Sequence, residues 1–203
     1  MYAETRGETG LGAMSPAVRR AIGKVERHRL IPSGAEGAYG NHPLPIGHGQ
    51  TISQPYIVAL SADLLGLEGG ESVLDVGTGS GYQAAVLAEI AARVCSMEII
   101  PDLGNDARRR LEELGYGNIE VRIGDGYSGW PERAPFDGIV VTAAAPYVPQ
   151  PLVDQLKPGG RMVIPVGGSR EIQYLQVLEK RADGGVGEKR VLPVRFVPLV
   201  PGK

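Results

Sequence analysis

The sequence predicts an α/β domain: a mostly parallel, twisted sheet with helices on both faces, finished by a C-terminal antiparallel hairpin. Three observations predict it. A glycine-rich turn, Gly77-Thr-Gly-Ser-Gly81, joins an apolar strand, Ser72-Val-Leu-Asp-Val76, to a helix-forming run. Apolar strand-like runs then alternate with helical patterns as far as residue 166. Finally, Asp75, Glu98 and Asp125 each stand at the carboxyl end of an expected strand, where open α/β sheets bind their ligands.

Residues 1–14 are polar and glycine-rich and are expected to form a disordered tail. Ser15-Pro16 supplies a cap and a first-turn proline for a helix running to about Glu26, with Val18, Ile22 and Val25 on one side. Residues 31 to 49 carry Pro32, Pro43, Pro45 and several glycines with hardly any periodicity, so they read as a long loop. Ser53 is expected to cap the next helix, Tyr56 to Leu65, with Pro55 in its first turn. Strands and helices follow at 72–76, 81–92, 94–98, 102–114, 119–123, 137–142, 150–156 and 161–166. Ile172 to Leu178 and Val191 to Val200 read as two strands joined by Asp183-Gly-Gly-Val-Gly187. The whole of 15–203 is expected as one domain, with the N-terminal helix and active-site loop at 15–55 and the core at 56–203.

Composition fits a soluble globule: 203 residues, 42% hydrophobic and 22% charged. Lys plus Arg total 21 against 23 for Asp plus Glu, which leaves no basic excess for nucleic acid. The one basic run, Arg108-Arg-Arg110, precedes Glu112 and Glu113 and reads as a solvated helix face. One cysteine excludes an internal disulfide framework, and Cys95 inside an apolar strand reads as a small buried residue rather than a nucleophile. The first twenty residues lack an apolar core, and no stretch approaches a membrane-spanning length. The expectation is a cytoplasmic monomer with no membrane or nucleic-acid partner.

The glycine spacing narrows the ligand. A dinucleotide fingerprint would place Gly or Ala at position 82, where this chain has Tyr82. Asp75 would repel a pyrophosphate but suits a ligand bearing an ammonium group. S-adenosylmethionine has an ammonium, a sulfonium and no phosphate. Glu98, twenty-one residues after Gly77, is placed to accept from ribose hydroxyls, and Asp125 could receive an adenine amino group. Taken singly, each acid could be a solvated loop residue. Together they favour the methyl donor. His28, His42 and His48 lack the close spacing of a metal site, so no metal is expected, and His48 is assigned to loop packing.

The chain resembles the protein-L-isoaspartate (D-aspartate) O-methyltransferase family, of the Rossmann-like class I methyltransferases, from about Val25 to Leu199. The most specific part is Pro43-Leu-Pro-Ile-Gly-His-Gly-Gln-Thr-Ile-Ser-Gln-Pro55. Supporting blocks include Gly124-Asp-Gly126, Ala143-Ala-Ala-Pro146, Leu156-Lys-Pro-Gly-Gly160 and Arg195-Phe-Val-Pro-Leu199. The resemblance implies transfer of a methyl group from S-adenosylmethionine to the free α-carboxylate of isoaspartyl residues in damaged proteins. It implies Ser53 as the catalytic residue. Gln50, Thr51, Ile52, Asp75, Gly77, Thr78, Gly79, Glu98, Ile99, Asp125 and Gly126 are implied around the cofactor, and Phe196, Val197, Pro198 and Leu199 along the peptide. A methyltransferase acting on a small molecule or RNA is the alternative, and a binding protein without turnover is a third. The scarcity of Phe and Trp (two and one) speaks against a clamp for a flipped base.

Overall fold

The computed structural model describes residues 14–32, 36–168 and 170–202. Of the expected tail, only Met14 falls among the described residues, and it packs against the core. Helix α1 (Pro16–Lys24) is capped by the Ser15 hydroxyl, which accepts from the Val18 N–H at 3.3 Å. It stops two residues short of Glu26, because the chain extends at Val25 and winds into a 3₁₀ turn, Arg27–Leu30, that buries Arg27 and Leu30. The expected loop at 31 to 49 contains structure. β1 (Leu44–Gly47) and β2 (Gln50–Ile52) pair as an antiparallel hairpin whose turn carries positive φ at His48 (51°) and Gly49 (70°). Strands this short give no readable alternation, and Pro45 masks the pattern.

α2 (Pro55–Leu65) follows, with Gln54 at its cap and Pro55 in its first turn. The core then alternates β3 (Ser72–Val76), α3 (Tyr82–Ala88), β4 (Arg93–Glu98), α4 (Pro101–Glu113), β5 (Ile119–Ile123), β6 (Phe136–Val141), α5 (Gln150–Asp154) and β7 (Leu156–Val166). β8 (Gln173–Lys180) and β9 (Val186–Val194) complete one seven-stranded sheet in the order β5-β4-β3-β6-β7-β8-β9. The first five of these strands are parallel, and β8 and β9 add antiparallel at the end.

Side chains alternate across the sheet, so its two faces bury different sets. Val73, Val94, Val140 and Val163 pack with α1 to α4; Leu74, Met97, Ile139 and Ile164 pack with Trp130 and α5. Both faces are covered, which is why the central strands read as continuous apolar runs. Cys95 is fully buried among them, and burial pushes its thiol up, away from nucleophilic use.

Four boundaries differ from expectation by more than two residues. α3 ends at Ala88 rather than at residue 92, and β9 starts at Val186, inside the expected turn, rather than at Val191. β7 starts at Leu156, because Lys157-Pro-Gly-Gly160 enters the strand as an irregular stretch rather than a loop. β9 ends at Val194, so 195 to 200 is not its continuation. That segment leaves the sheet edge and crosses above β6: Ala144 N–H donates to Val197 O (2.8 Å) and Leu199 N–H to Ala144 O (2.7 Å). The Gln173 amide brackets the crossing, donating to Phe196 O (3.2 Å) and accepting from Phe196 N–H (2.6 Å).

The entry of β3 is fixed by Asp137, which accepts from Ser72 N–H (2.8 Å) and from Lys157 Nζ (2.7 Å). Burial raises the Asp137 carboxyl, but these two donors outweigh it and hold the group below its usual range. Its stabilising contribution is therefore present above the unfolded-state value near 4 and is lost as pH falls through the lower folded value. Asp137→Asn should cost roughly 1 kcal/mol in urea denaturation at pH 7. The deficit relative to wild type should shrink as the same titration is repeated under increasingly acid conditions.

Candidate active site

Where β3 ends, its backbone donors lose their ladder partners and find new ones in the next strand. Gly77 and Thr78 N–H both donate to Met97 O (2.8 and 2.9 Å), and Gly79 N–H donates to the Glu98 carboxylate at 2.8 Å. The other Glu98 oxygen accepts from Ile100 N–H (3.0 Å), so one side chain braces the glycine turn and the start of α4. Gly77 has φ 103°, and a β-carbon there would overlap the Thr142 hydroxyl, which donates to Gly77 O at 2.6 Å. Only glycine satisfies both demands.

Asp75 and Ser96 are register partners in β3 and β4, so their side chains meet on the same face. Ser96 Oγ donates to Asp75 Oδ2 (2.7 Å) and lies 2.6 Å from Thr78 Oγ1. With its own proton committed to Asp75, Ser96 must accept from Thr78. The second carboxylate oxygen, Asp75 Oδ1, is buried with no partner among the described residues. Asp75 is wholly inaccessible, and its carboxyl is pushed up to about 7 by burial, opposed by the Ser96 hydrogen bond and reinforced by Glu98.

Above this turn lies a cavity walled by Gln50, Thr51, Ile52 and Ser53 from the N-terminal loop and by Gly77, Thr78, Gly79, Glu98, Ile99 and Gly126 from the strand ends. Val197, Pro198 and Leu199 close it from the crossing segment. The sequence-expected residues therefore converge on it, with three exceptions, of which Phe196 lines an adjoining groove instead. Asp75 is no wall residue and reaches the cavity only through Ser96 and Thr78. Asp125 sits between two wall glycines, but its carboxylate accepts from Tyr127 N–H (2.8 Å). Among the described residues, further wall positions escaped the sequence reading, including Tyr82, Gln83, Thr142 and Val200. Gln83 is the most telling of them, since its buried Nε2 has no acceptor among the described residues. A polar residue just past a glycine turn was the available signal.

The charge of the wall decides the ligand class. Glu98 is the sole charged residue on it among the described residues, and it is negative. An anionic pyrophosphate would meet no cation there among the described residues, whereas a cationic adenosyl ligand meets Glu98, with the Asp75 carboxyl behind the turn. The residues present thus fit S-adenosylmethionine.

A second groove adjoins the first, and the two share Thr51, Ser53, Thr142 and Val197. Its other walls include Asn41, Tyr56, Phe196, the end of β9 and Arg195 just beyond it, the only charged side chain along the groove among the described residues. Ser53 is not the helix cap. The cap position is Gln54, without a side-chain bond, and Ser53 lines both cavities. His48 lines neither, lying at the hairpin tip 3.7 Å from Asp102. No group of His, Cys, Asp and Glu among the described residues could hold a metal ion.

The raised Asp75 carboxyl has a stability consequence. A group whose folded value lies above its unfolded one stabilises the fold at low pH and loses that contribution as pH rises through about 7. Asp75→Asn should therefore melt higher than wild type at pH 8 and lose this advantage near pH 4. Calorimetry on the same variant should show weaker binding of S-adenosylhomocysteine, by about tenfold or more.

Comparison with known proteins agrees with this geometry. The family model described as Protein-L-isoaspartate(D-aspartate) O-methyltransferase matches residues 8–203. A Polaromonas sp. protein named protein-L-isoaspartate O-methyltransferase 2 is 58% identical over 97% of this chain and 93% of its own. A Nitrosospira multiformis protein named protein-L-isoaspartate O-methyltransferase 1 is 58% identical over 100% of this chain and 86% of its own. Among solved structures, one named protein-L-isoaspartate O-methyltransferase superposes with a TM-score of 0.86 at 29% identity, covering 98% of this chain, which spans 65% of that structure's length. A Plasmodium falciparum structure of that name, in complex with S-adenosyl-L-homocysteine, superposes with a TM-score of 0.81 at 28% identity, over 97% of this chain and 95% of its own. With a cavity suited to an adenosyl cation and a family match across nearly its full length, the chain belongs to the protein-L-isoaspartate(D-aspartate) O-methyltransferase family.

Proposed function

We infer that the protein transfers a methyl group from S-adenosylmethionine to the free α-carboxylate of L-isoaspartyl residues in damaged proteins, the first step of their repair. The observation that carries this reading is the meeting of two cavities at Ser53: a cavity suited to the methyl donor and an open groove of peptide scale. The family match and the relatives at 58% identity support the acceptor.

S-adenosylmethionine supplies a methyl group already activated by its sulfonium. The acceptor carboxylate, with an ordinary value near 4, is already ionised at neutral pH. No general base is needed, which suits a shared wall that offers hydroxyls and no histidine. What remains for the chain is orientation and exclusion of water, and well-placed reactants can gain roughly 7–11 kcal/mol this way. The Ser53 hydroxyl donates to the acceptor carboxylate and sets its angle of approach. Thr51 and Thr142 offer further hydroxyls on the same shared wall. Val197 brings main-chain groups to the junction, and Phe196 extends the groove along which an extended peptide would lie. Glu98 and Gln83 hold polar groups of the donor, while Val76, Met97 and Ile99 supply apolar wall.

The acceptor is tested by incubating the protein with labelled S-adenosylmethionine and a matched peptide pair, one Asp and one isoAsp. Base-labile label should appear on the isoAsp peptide alone, and equal labelling of the two would overturn the reading. Ser53→Ala should lower kcat/KM by about 10- to 100-fold, the worth of one hydrogen bond to a charged group, while S-adenosylhomocysteine binding stays near wild type. Because Arg195 is the only charge along the groove among the described residues, an isoAsp peptide with Glu beside the damaged residue should show a lower KM than its Lys counterpart. Arg195→Gln should level the two.

A further inference from the structure

A buried cation lies beneath the acceptor loop, outside the machinery described so far. Arg27, in the 3₁₀ turn after α1, is 1% exposed. No carboxylate pairs with it among the described residues. Its Nη1 donates to Ala38 O, and its Nη2 donates to His42 O (3.2 Å) and to Ser53 O (3.1 Å). The guanidinium also lies 5.5 Å from the ring centroid of Tyr82, the residue that opens α3 directly after the glycine turn and lines the donor cavity. One group therefore ties three points of the loop that carries Ser53 to the helix that carries the donor turn.

Chemistry explains why this must be arginine. A planar fork of five donors can reach several carbonyls in fixed directions, whereas an ammonium is a compact point donor. Burying a charge without a carboxylate is costly, and stability alone is often served as well by apolar residues of similar volume. Carbonyl dipoles and the Tyr82 ring offset only part of that cost. Nε has no partner at all among the described residues. A costly buried cation spent on the main chain of the catalytic loop points to a role in that loop's placement.

We propose that Arg27 is a positioning residue for methyl transfer. It holds the Ser53 main chain against the donor turn, so that the Ser53 hydroxyl meets the acceptor carboxylate where the two cavities join. This rests on the reading of Ser53 given above, and the test separates the two.

The test compares Arg27→Lys, Ser53→Ala and the double variant by thermal melting, S-adenosylhomocysteine calorimetry and kcat/KM on an isoAsp peptide. Arg27→Lys should melt lower yet bind S-adenosylhomocysteine within about threefold of wild type, while kcat/KM falls about tenfold or more. In the Ser53→Ala background the same change should cost less than about threefold, because the hydroxyl it places is gone. A full multiplicative loss in that background overturns the proposal and leaves Ser53 standing. So does a loss of activity that only tracks the loss of S-adenosylhomocysteine affinity, or wild-type kcat/KM in Arg27→Lys. A chain that will not fold with Lys or Gln at 27 also overturns it, since the role is then in folding. Full activity in Ser53→Ala alone takes down both readings.

Discussion

Where a parallel ladder stops, its last N–H groups must be satisfied by something other than the next residue of a neighbouring strand. At the end of β3 that obligation falls on the Met97 carbonyl and the Glu98 carboxylate. Three glycines with positive φ let the chain turn sharply enough to reach them. Everything else at the site is built around this closure. Thr142 ties the turn to the neighbouring strand, Ser96 and Thr78 connect it to the buried Asp75, and the crossing segment 195 to 200 roofs it.

Two buried ionisable groups of opposite type flank the reacting region, and neither has an oppositely charged side chain in hydrogen-bond contact among the described residues. Asp75 lies under the donor turn with one oxygen unfilled, and Arg27 lies under the acceptor loop with Nε unfilled. Each is expensive to keep in a low-dielectric interior, which marks both as placed for something other than stability. A carboxyl that a cationic donor would help to ionise lies on one side, and the guanidinium anchors the loop that must meet an anionic acceptor. The site thus carries the complementary pattern of its two substrates in its foundations rather than on its walls, where, among the described residues, Glu98 alone is charged in the donor cavity and Arg195 alone along the groove.

The cost of this arrangement is carried by a conventional core. Branched residues alternate across both faces of the sheet, and fully buried leucines, isoleucines and Phe136 fill the layers between sheet and helices. No helix among the described residues is long and apolar enough to cross a membrane. The strand ends can therefore be given over to polar work while the strand middles hold the fold.

Much of this was legible in the chain. The glycine turn, the alternating elements and the acids at strand ends follow from local rules, since pleat period, turn chemistry and ladder ends are set within a few residues. The loop residues 50 to 53 and the segment 196 to 199 came from resemblance, and both line the cavities. Sequence alone misplaced the cap of α2 at Ser53, because a serine two residues before a proline reads as a cap wherever it stands. It also passed over Arg27, Gln83 and Thr142, whose neighbours lie up to dozens of residues away along the chain. Only the folded structure turned 195 to 200 away from the sheet edge, left Asp75 behind the wall rather than on it, and brought Arg27 under Ser53. Those outcomes depend on desolvation and on which distant carbonyls come within reach, and neither is a property of any short stretch of residues.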